Sequence, residues 1–305
     1  MKVAFAGTPD FAATILGALI SSPHEVALVV SQPDRRRGRG RKTTPTPVAE
    51  LARRSNLPLK QPARISEISA ELSACDVLVV AAYGQILRPD TLHAARYGAY
   101  NVHASLLPKY RGAAPIERAI MNGETETGVT IMQMDEGLDT GPSALQRSVH
   151  IPPEMNAGEL TELLADTGAE AMVESLNSLE GNDLTLVQQD SLNATYASKL
   201  GDEDRIIRWE NDAGKVHDLV RALAPRVGAR TYHRDVDGPI KIWRSRVMQT
   251  ATSPSEIGHI RAESGRIFVS CGSGALEVLG LQVPGGRRLP AREFLLGRQL
   301  EGTFG

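Results

Sequence analysis

Cysteine is scarce: Cys75 and Cys271 are the only two in 305 residues. They stand far apart, with no CxxC spacing and no paired histidine, which argues against a disulfide framework and against a zinc site. Each sits in or beside an apolar run, so two buried free thiols are expected. Apolar stretches long enough to span a bilayer are absent, and the opening KVAFAG runs into Thr8, Pro9 and Asp10 without a small-residue cleavage pattern. A cytoplasmic protein is expected. No GxSxG motif marks a serine nucleophile, which argues against chemistry through a covalent serine intermediate. The glycine-rich GRGRKT from Gly38 lacks both the third glycine of GxGxxG and the GxxxxGK frame, which argues against a mononucleotide phosphate loop. Internal repeats and low-complexity tracts are missing as well.

What is present is a chain able to bury a proper core, 41% hydrophobic, with charge unevenly placed. From Ile206 onward 15 Lys and Arg face 10 Asp and Glu, a local balance of +5, and the overall −2 leaves −7 on residues 1–205. Within that acidic part, six of the eight residues from Arg35 to Lys42 are basic. Two positive regions flanking an acidic one form a footprint for a polyanion held at two places; a solvated surface loop is the plainer reading of the basic run.

Periodicity predicts an α/β first half. Val3 to Ala6 reads as a strand ending at Gly7, a helix opened by Pro9 follows with Phe11, Ile15 and Leu19 on one face, and EVALVVSQ reads as the next strand. Strand, helix and strand in so short a span imply a right-handed crossover and a mostly parallel sheet. Val48–Asn56 reads as a helix, Asp76–Ala82 as a central strand and Ala99–Ala104 as another. A helix from about Pro115 and the strand TGVTIMQM follow. A long helix over roughly Ala157–Leu179 carries Leu160, Leu163, Leu164, Met172, Leu176 and Leu179 at one-face spacing. Between Gln189 and Arg205 the apolar periodicity fails, which places a linker at residues 189–205 between a first domain, 1–188, and a second, 206–305. The second has one helical pattern, Ala213–Leu223, then short strands separated by glycines, which suits a small β-barrel.

The richest segment in chemistry is NVHASLLPKYRGAAPIERAI, from Asn101. At a strand end, alternation puts Asn101 and His103 on one face and Val102 on the other, aimed at the crevice beyond the carboxyl ends of parallel strands. Asp139, in GLDTG after the next strand, is placed to enter the same crevice. An amide and a protonated imidazole that donate to a developing oxyanion, with a carboxylate that orients the ring and takes a proton, suit attack by an amine on a carbonyl. Alone, the Asn-x-His pair also reads as a capped strand end and GLDTG as a plain turn.

NVHASLLPKYRGAAPI followed by TGVTIMQMDEGLDTGP, together with FAGTPDFA and AAYGQIL, resembles the methionyl-tRNA formyltransferases over most of the chain. The resemblance implies a Rossmann-like catalytic domain, a linker and an OB-like barrel that touches tRNA. It implies formyl transfer from 10-formyltetrahydrofolate to the amino group of methionine on initiator tRNA, by a monomer and without a metal. The family's catalytic residues fall on Asn101, His103 and Asp139, with Asp135 a nearby decoy. Its folate-contacting segment falls on Ser105, Leu106, Leu107 and Pro108, and its pterin pocket near Ala82, Tyr83, Gly84 and the loop before Asp139. A tRNA-gripping arm is implied for Arg35, Arg36, Arg37, Arg39, Arg41 and Lys42, with Arg39 the side chain expected at the acceptor stem. One departure is APRVGART from Ala224, where the family commonly has a Trp-containing NPWPGA-type segment. Two other readings use the same residues: an N-formyltransferase of nucleotide amino sugars, and an RNA-binding module on an inactive scaffold.

Overall fold

Residues Lys2–Gly7 (β1) form the middle of a seven-stranded sheet in the computed structural model, which describes residues 1–37, 42–249, 256–298 and 300–305. The chain passes through Asp10–Ile20 (α1), with Pro9 as its N-cap, to Glu25–Val30 (β2). A two-stranded antiparallel ribbon follows, Arg35–Arg37 (β3) against Lys42–Thr44 (β4), where the sequence reads as a loop. Next come Pro47–Arg54 (α2), Leu59–Lys60 (β5), Ser69–Leu72 (α3), Val77–Ala81 (β6), Pro89–Leu92 (α4) and Ala99–His103 (β7). Arg111–Gly112 (β8), Pro115–Met121 (α5), Glu126–Gln133 (β9), Ser143–His150 (β10), Ala157–Glu180 (α6) and Tyr196–Ala197 (β11) complete this half.

The sheet runs β10-β9-β7-β6-β1-β2-β5, parallel from β7 to β5, with β9 antiparallel to β7. Val77–Ala81 is buried throughout, as befits a strand covered on both faces. Along helix α6, Leu160, Leu164, Met172 and Leu176 are all 0–1% exposed. Leu163, expected on that face, is 37% exposed, and small residues fill the remaining contact: Ala165, Ala169 and Ala171 are buried. A Cβ on Gly168 of α6 would lie 2.7 Å from Val102 Cγ1, so glycine lets the helix settle onto β7. Burying Val102 there contributes about 1.5–3 kcal/mol and leaves Asn101 and His103 on the other face of the strand.

The chain forms two compact units, one of Met1–Pro115, Thr127–Val149 and Thr161–Ala197, and a second of Ile116–Glu126, His150–Leu160 and Ser198–Gly305. Residues 189–205, read from sequence as a linker, are thus shared, those up to Ala197 belonging to the first unit. In the second, Ala213–Leu223 (α7) is followed by Ala229–His233 (β12), Val236–Met248 (β13), His259–Glu263 (β14), Arg266–Ser270 (β15), Ala275–Gln282 (β16), Leu289–Pro290 (β17), Ala291–Gly297 (α8) and Gly302–Thr303 (β18). The strands are antiparallel in the order β12-β13-β16-β15-β14-β18, with β17 on β16. The Gly305 amide reaches Tyr232 O on β12 at 3.2 Å, which nearly closes a barrel. Phe304 seals that closure, stacked on Trp209 at 5.7 Å and edge-on to His233 at 5.8 Å. Both cysteines are buried free thiols, and burial pushes the Cys271 thiol up to about 12.

The APRVGART segment packs despite its departure. Val227 joins the barrel core, Arg226 turns outward toward Glu117 at 4.0 Å, and the indole of Trp243 lies against Gly228 with the Arg288 guanidinium 3.3 Å over it.

Candidate active site

The carboxyl end of β7 presents Asn101 half-buried and His103 5% exposed. The Asn101 amide makes no side-chain hydrogen bond among the described residues, which leaves a donor free. His103 Nε2 lies 2.9 Å from Tyr110 O. A carbonyl only accepts, so this nitrogen carries a hydrogen. His103 Nδ1 then faces Asp139 Oδ2 at 3.6 Å. That separation suits an ion pair and is long for a hydrogen bond.

Asp139 is held in an uncommon backbone state, φ 53°, which costs a non-glycine residue of order 1–3 kcal/mol and needs its surroundings to impose it. The Gly112 amide donates to Asp139 Oδ2 at 2.8 Å. Gly112 itself has φ 119°, and a Cβ there would meet Ala197 O at 2.8 Å, so this donor position admits glycine alone. Gln189 Nε2 donates to Asp139 O at 2.9 Å and Gly141 O at 2.7 Å, while its Oε1 accepts from Arg111 Nε and Nη2 at 3.1 and 2.7 Å. Asp135 is committed elsewhere: its Oδ1 accepts from Gly137 N at 3.0 Å and Thr140 Oγ1 at 2.7 Å, a turn that shapes the loop ahead of Asp139.

The SLLP loop hangs on one buried hydroxyl. Thr130 Oγ1, on β9, donates to Ser105 O at 2.7 Å and accepts from Leu107 N at 3.1 Å and Gln146 Nε2 at 3.0 Å. Ser105 Oγ is spent on Lys109 O at 2.6 Å, and the Leu107 side chain is buried. Leu106 and Pro108 are the half-buried pair that present surface. Ala82 and Gly84 are exposed with positive φ, 43° and 85°, while Tyr83 between them is buried. Its hydroxyl has no partner there, and burial pushes it up to about 12.

Gly84 shares a cavity of about 560 Å³ with Gln32, Arg35, Arg64, Ile86, Arg88 and Thr91. The structure therefore joins one residue expected at tRNA to one expected at folate. Among the described residues none of the three arginines has an ion-pair partner, and Thr91 Oγ1 and Gln32 Nε2 are buried without a hydrogen bond. The neighbouring ribbon is tied at its base by Ser31 Oγ against Thr46 Oγ1, 2.6 Å, and by Gln61 Nε2, which donates to Gln32 O and Asp34 Oδ1. Arg36, Arg37 and Lys42 are placed in it by their backbone alone, and Arg39 and Arg41 lie outside the described residues.

Sequence reasoning missed Thr130, Gln146, Gln189 and the amide of Gly112. Gly112 had a signal in the KYRGAAP motif. The other three act through hydrogen bonds across 16 to 78 residues and leave no local pattern.

Comparison with known proteins follows the same outline. The formyl transferase family profile matches residues 1–176, and the formyl transferase C-terminal domain profile matches residues 199–299. A methionyl-tRNA formyltransferase of Rubrobacter xylanophilus is 63% identical, over 100% of this chain and 99% of the relative. That of Aromatoleum aromaticum is 47% identical, over 97% and 94%. Among solved structures, the N-formyltransferase of Helicobacter canadensis, in complex with folinic acid and dTDP-3-aminofucose, superposes with TM-score 0.69 at 17% identity, covering 95% of this chain and 100% of that one. At that identity the likeness is one of fold.

Proposed function

We propose, because the chain belongs to the methionyl-tRNA formyltransferase family, that it transfers a formyl group from 10-formyltetrahydrofolate to the free amino group of methionine on initiator methionyl-tRNA. The observation that carries the chemistry is a His103 ring bracketed by the Tyr110 carbonyl and the Asp139 carboxylate, on the same strand as an Asn101 amide without a side-chain hydrogen bond among the described residues.

A carboxylate-bearing donor fits the residues present: the cavity beside Gly84 offers three guanidinium groups without an ion-pair partner and two buried polar atoms without a hydrogen bond among the described residues. Arg35, Arg64 and Arg88 would hold the glutamyl carboxylates, with Ala82, Gly84, Leu106 and Pro108 along the ring system. When bound, the folate supplies an activated formyl carbonyl. Asn101 Nδ2, and His103 Nδ1 when the ring is protonated, are the donors available to a carbonyl oxygen. As the amine nitrogen bonds to the formyl carbon, Asp139 takes the proton that the amine must lose; the carbon–nitrogen bond to the donor would then break, and that proton would pass to the departing folate nitrogen. The carbonyl of Tyr110 keeps the ring from turning while the proton moves.

Contact with tRNA we assign to the β3–β4 ribbon and to the barrel from Ile206, whose positive balance offsets the acidic remainder. A cytoplasmic monomer accords with the family resemblance. Among the described residues no helix is long and apolar enough to cross a membrane. The amino-sugar reading is not favoured, since full-length relatives at 63% and 47% identity carry the methionyl-tRNA name.

The test offers the purified protein 10-formyltetrahydrofolate with methionyl-tRNA and a nucleotide amino sugar in parallel. Formylated methionyl-tRNA with an unmodified sugar is expected. Formylation of the sugar alone, or of neither, overturns the reading.

A further inference from the structure

We propose that Gln189 is a positioning residue for Asp139, an inference that rests on Asp139 being the proton acceptor. The Gln189 amide can sit only one way. Its oxygen faces the Arg111 guanidinium, which only donates, and its nitrogen faces two carbonyls, which only accept. Arg111 is 3% exposed, so the oxygen is anchored to a fixed point. From that anchor the two N–H bonds of the amide clamp Asp139 O and Gly141 O, on either side of Thr140.

The residue after Arg111 grips the same aspartate from its other end, since the Gly112 amide bonds the carboxylate at 2.8 Å. The result is a closed ring: Gly112 N to the Asp139 side chain, Asp139 O to Gln189, Gln189 to Arg111, and Arg111 back to Gly112 through one peptide bond. Such a ring is what a strained φ of 53° requires to persist. The strand segment around it is tied down as well. Val187 bridges Ser143, Arg111 N donates to Thr195 O at 2.9 Å, and Tyr196–Ala197 pair with Arg111–Gly112. Residues 187–197 therefore work as a clamp on the aspartate loop. Gln189 touches no reacting atom in this arrangement; it fixes the distance from which Asp139 addresses His103.

The test is a double-mutant cycle on single-turnover formyl transfer with saturating folate and methionyl-tRNA. Gln189→Glu keeps chain length and an acceptor for Arg111 but turns a carboxylate toward the two carbonyls. A loss of about tenfold to a hundredfold is expected, because small misplacement of a reacting group costs on that scale, with the KM for methionyl-tRNA and the unfolding midpoint close to wild type. In an Asp139→Asn background the same change is expected to cost less than threefold. If Gln189→Glu unfolds the protein, Gln189→Ala is read in the same cycle. Wild-type turnover of the Gln189 variant, or an equal loss in both backgrounds, overturns the proposal while Asp139→Asn remains slow. Near-normal turnover by Asp139→Asn itself overturns the reading of the aspartate, and the positioning role falls with it.

Discussion

Replacing Thr130 with valine keeps the branched shape of the side chain and deletes one oxygen. That oxygen is fully buried and makes three hydrogen bonds, to Ser105 O, Leu107 N and Gln146 Nε2. Gln146 keeps a second partner in Leu107 O at 2.7 Å, so it loses little. The Leu107 amide is left buried with no acceptor and Ser105 O with no donor. An orphaned buried N–H costs about 1–3 kcal/mol and a lost carbonyl bond about 1 more, so Thr130→Val is expected to be about 2–4 kcal/mol less stable than wild type. Thr130→Ser is the control, since it keeps the hydroxyl and gives up one methyl, about 1 kcal/mol. Urea denaturation with a shared slope measures both differences. The strand loses no ladder bond, so the damage should concentrate in the Ser105–Pro108 loop. Hydrogen exchange at Leu107 should quicken markedly in the valine variant, and its KM for the folate donor should rise. A valine variant within about 0.5 kcal/mol of the serine variant would refute the claim that this hydroxyl organises the loop, since the two differ most in that one group.

The remaining expectations follow from single contacts. Asn101→Ala and His103→Ala should fold normally and lose about a hundredfold to ten-thousandfold in turnover; near-normal single-turnover rates in both would sink the donor assignment. Arg64→Ala and Arg88→Ala should weaken the folate donor several-fold, more for a polyglutamylated form than for the monoglutamate, and equal KM changes for the two forms would argue against a carboxylate-binding cavity. Arg39→Ala should lower affinity for methionyl-tRNA, leave folate binding unchanged and flatten the salt dependence by roughly one phosphate contact; an unchanged slope would return the basic run to the role of a surface loop. Glu277 is buried in the barrel, and the hydrogen bond from Arg266, at 2.7 Å, holds its carboxyl below the ordinary value of 4.5. A depressed carboxylate stabilises the fold above its unfolded value and loses that contribution as pH falls through the folded one. Glu277→Gln should therefore be less stable than wild type at pH 7, with the gap closing below about pH 4.5; a gap that stays constant to pH 3 would contradict the assignment.

The parts of the fold legible in the sequence are those whose burial repeats along the chain. Strands β1 and β6 announce themselves as apolar runs, and β7 carries Asn101 and His103 at a spacing of two, which alternation turns into a shared face. Strand β10 was invisible because most of its side chains are half-exposed or exposed, without the alternation that marks a buried face. The β3–β4 ribbon was invisible because a run so rich in glycine and basic residues reads as a loop. Leu163 shows the limit of spacing alone: a leucine at helical register is solvent-exposed because alanines lie against the sheet in its stead.

The active site divides along the same line. A group that does chemistry must be of one particular type, so Asn101, His103 and Asp139, in the roles proposed for them, leave a mark that a short motif can hold. A group that only positions needs a donor or an acceptor at the right place, and many residue types supply one. Gln189 fell in a stretch where periodicity fails, and there it looked like linker. Gly112 is the exception that shows why. Its role as an N–H donor is open to almost any residue, yet its φ of 119° and the carbonyl of Ala197 2.8 Å from a Cβ allow only glycine. Positioning becomes readable in a sequence where the backbone excludes the alternatives. At Gln189 nothing in the backbone does so, and its role emerges only from the orientation imposed by Arg111 on one side and two carbonyls on the other.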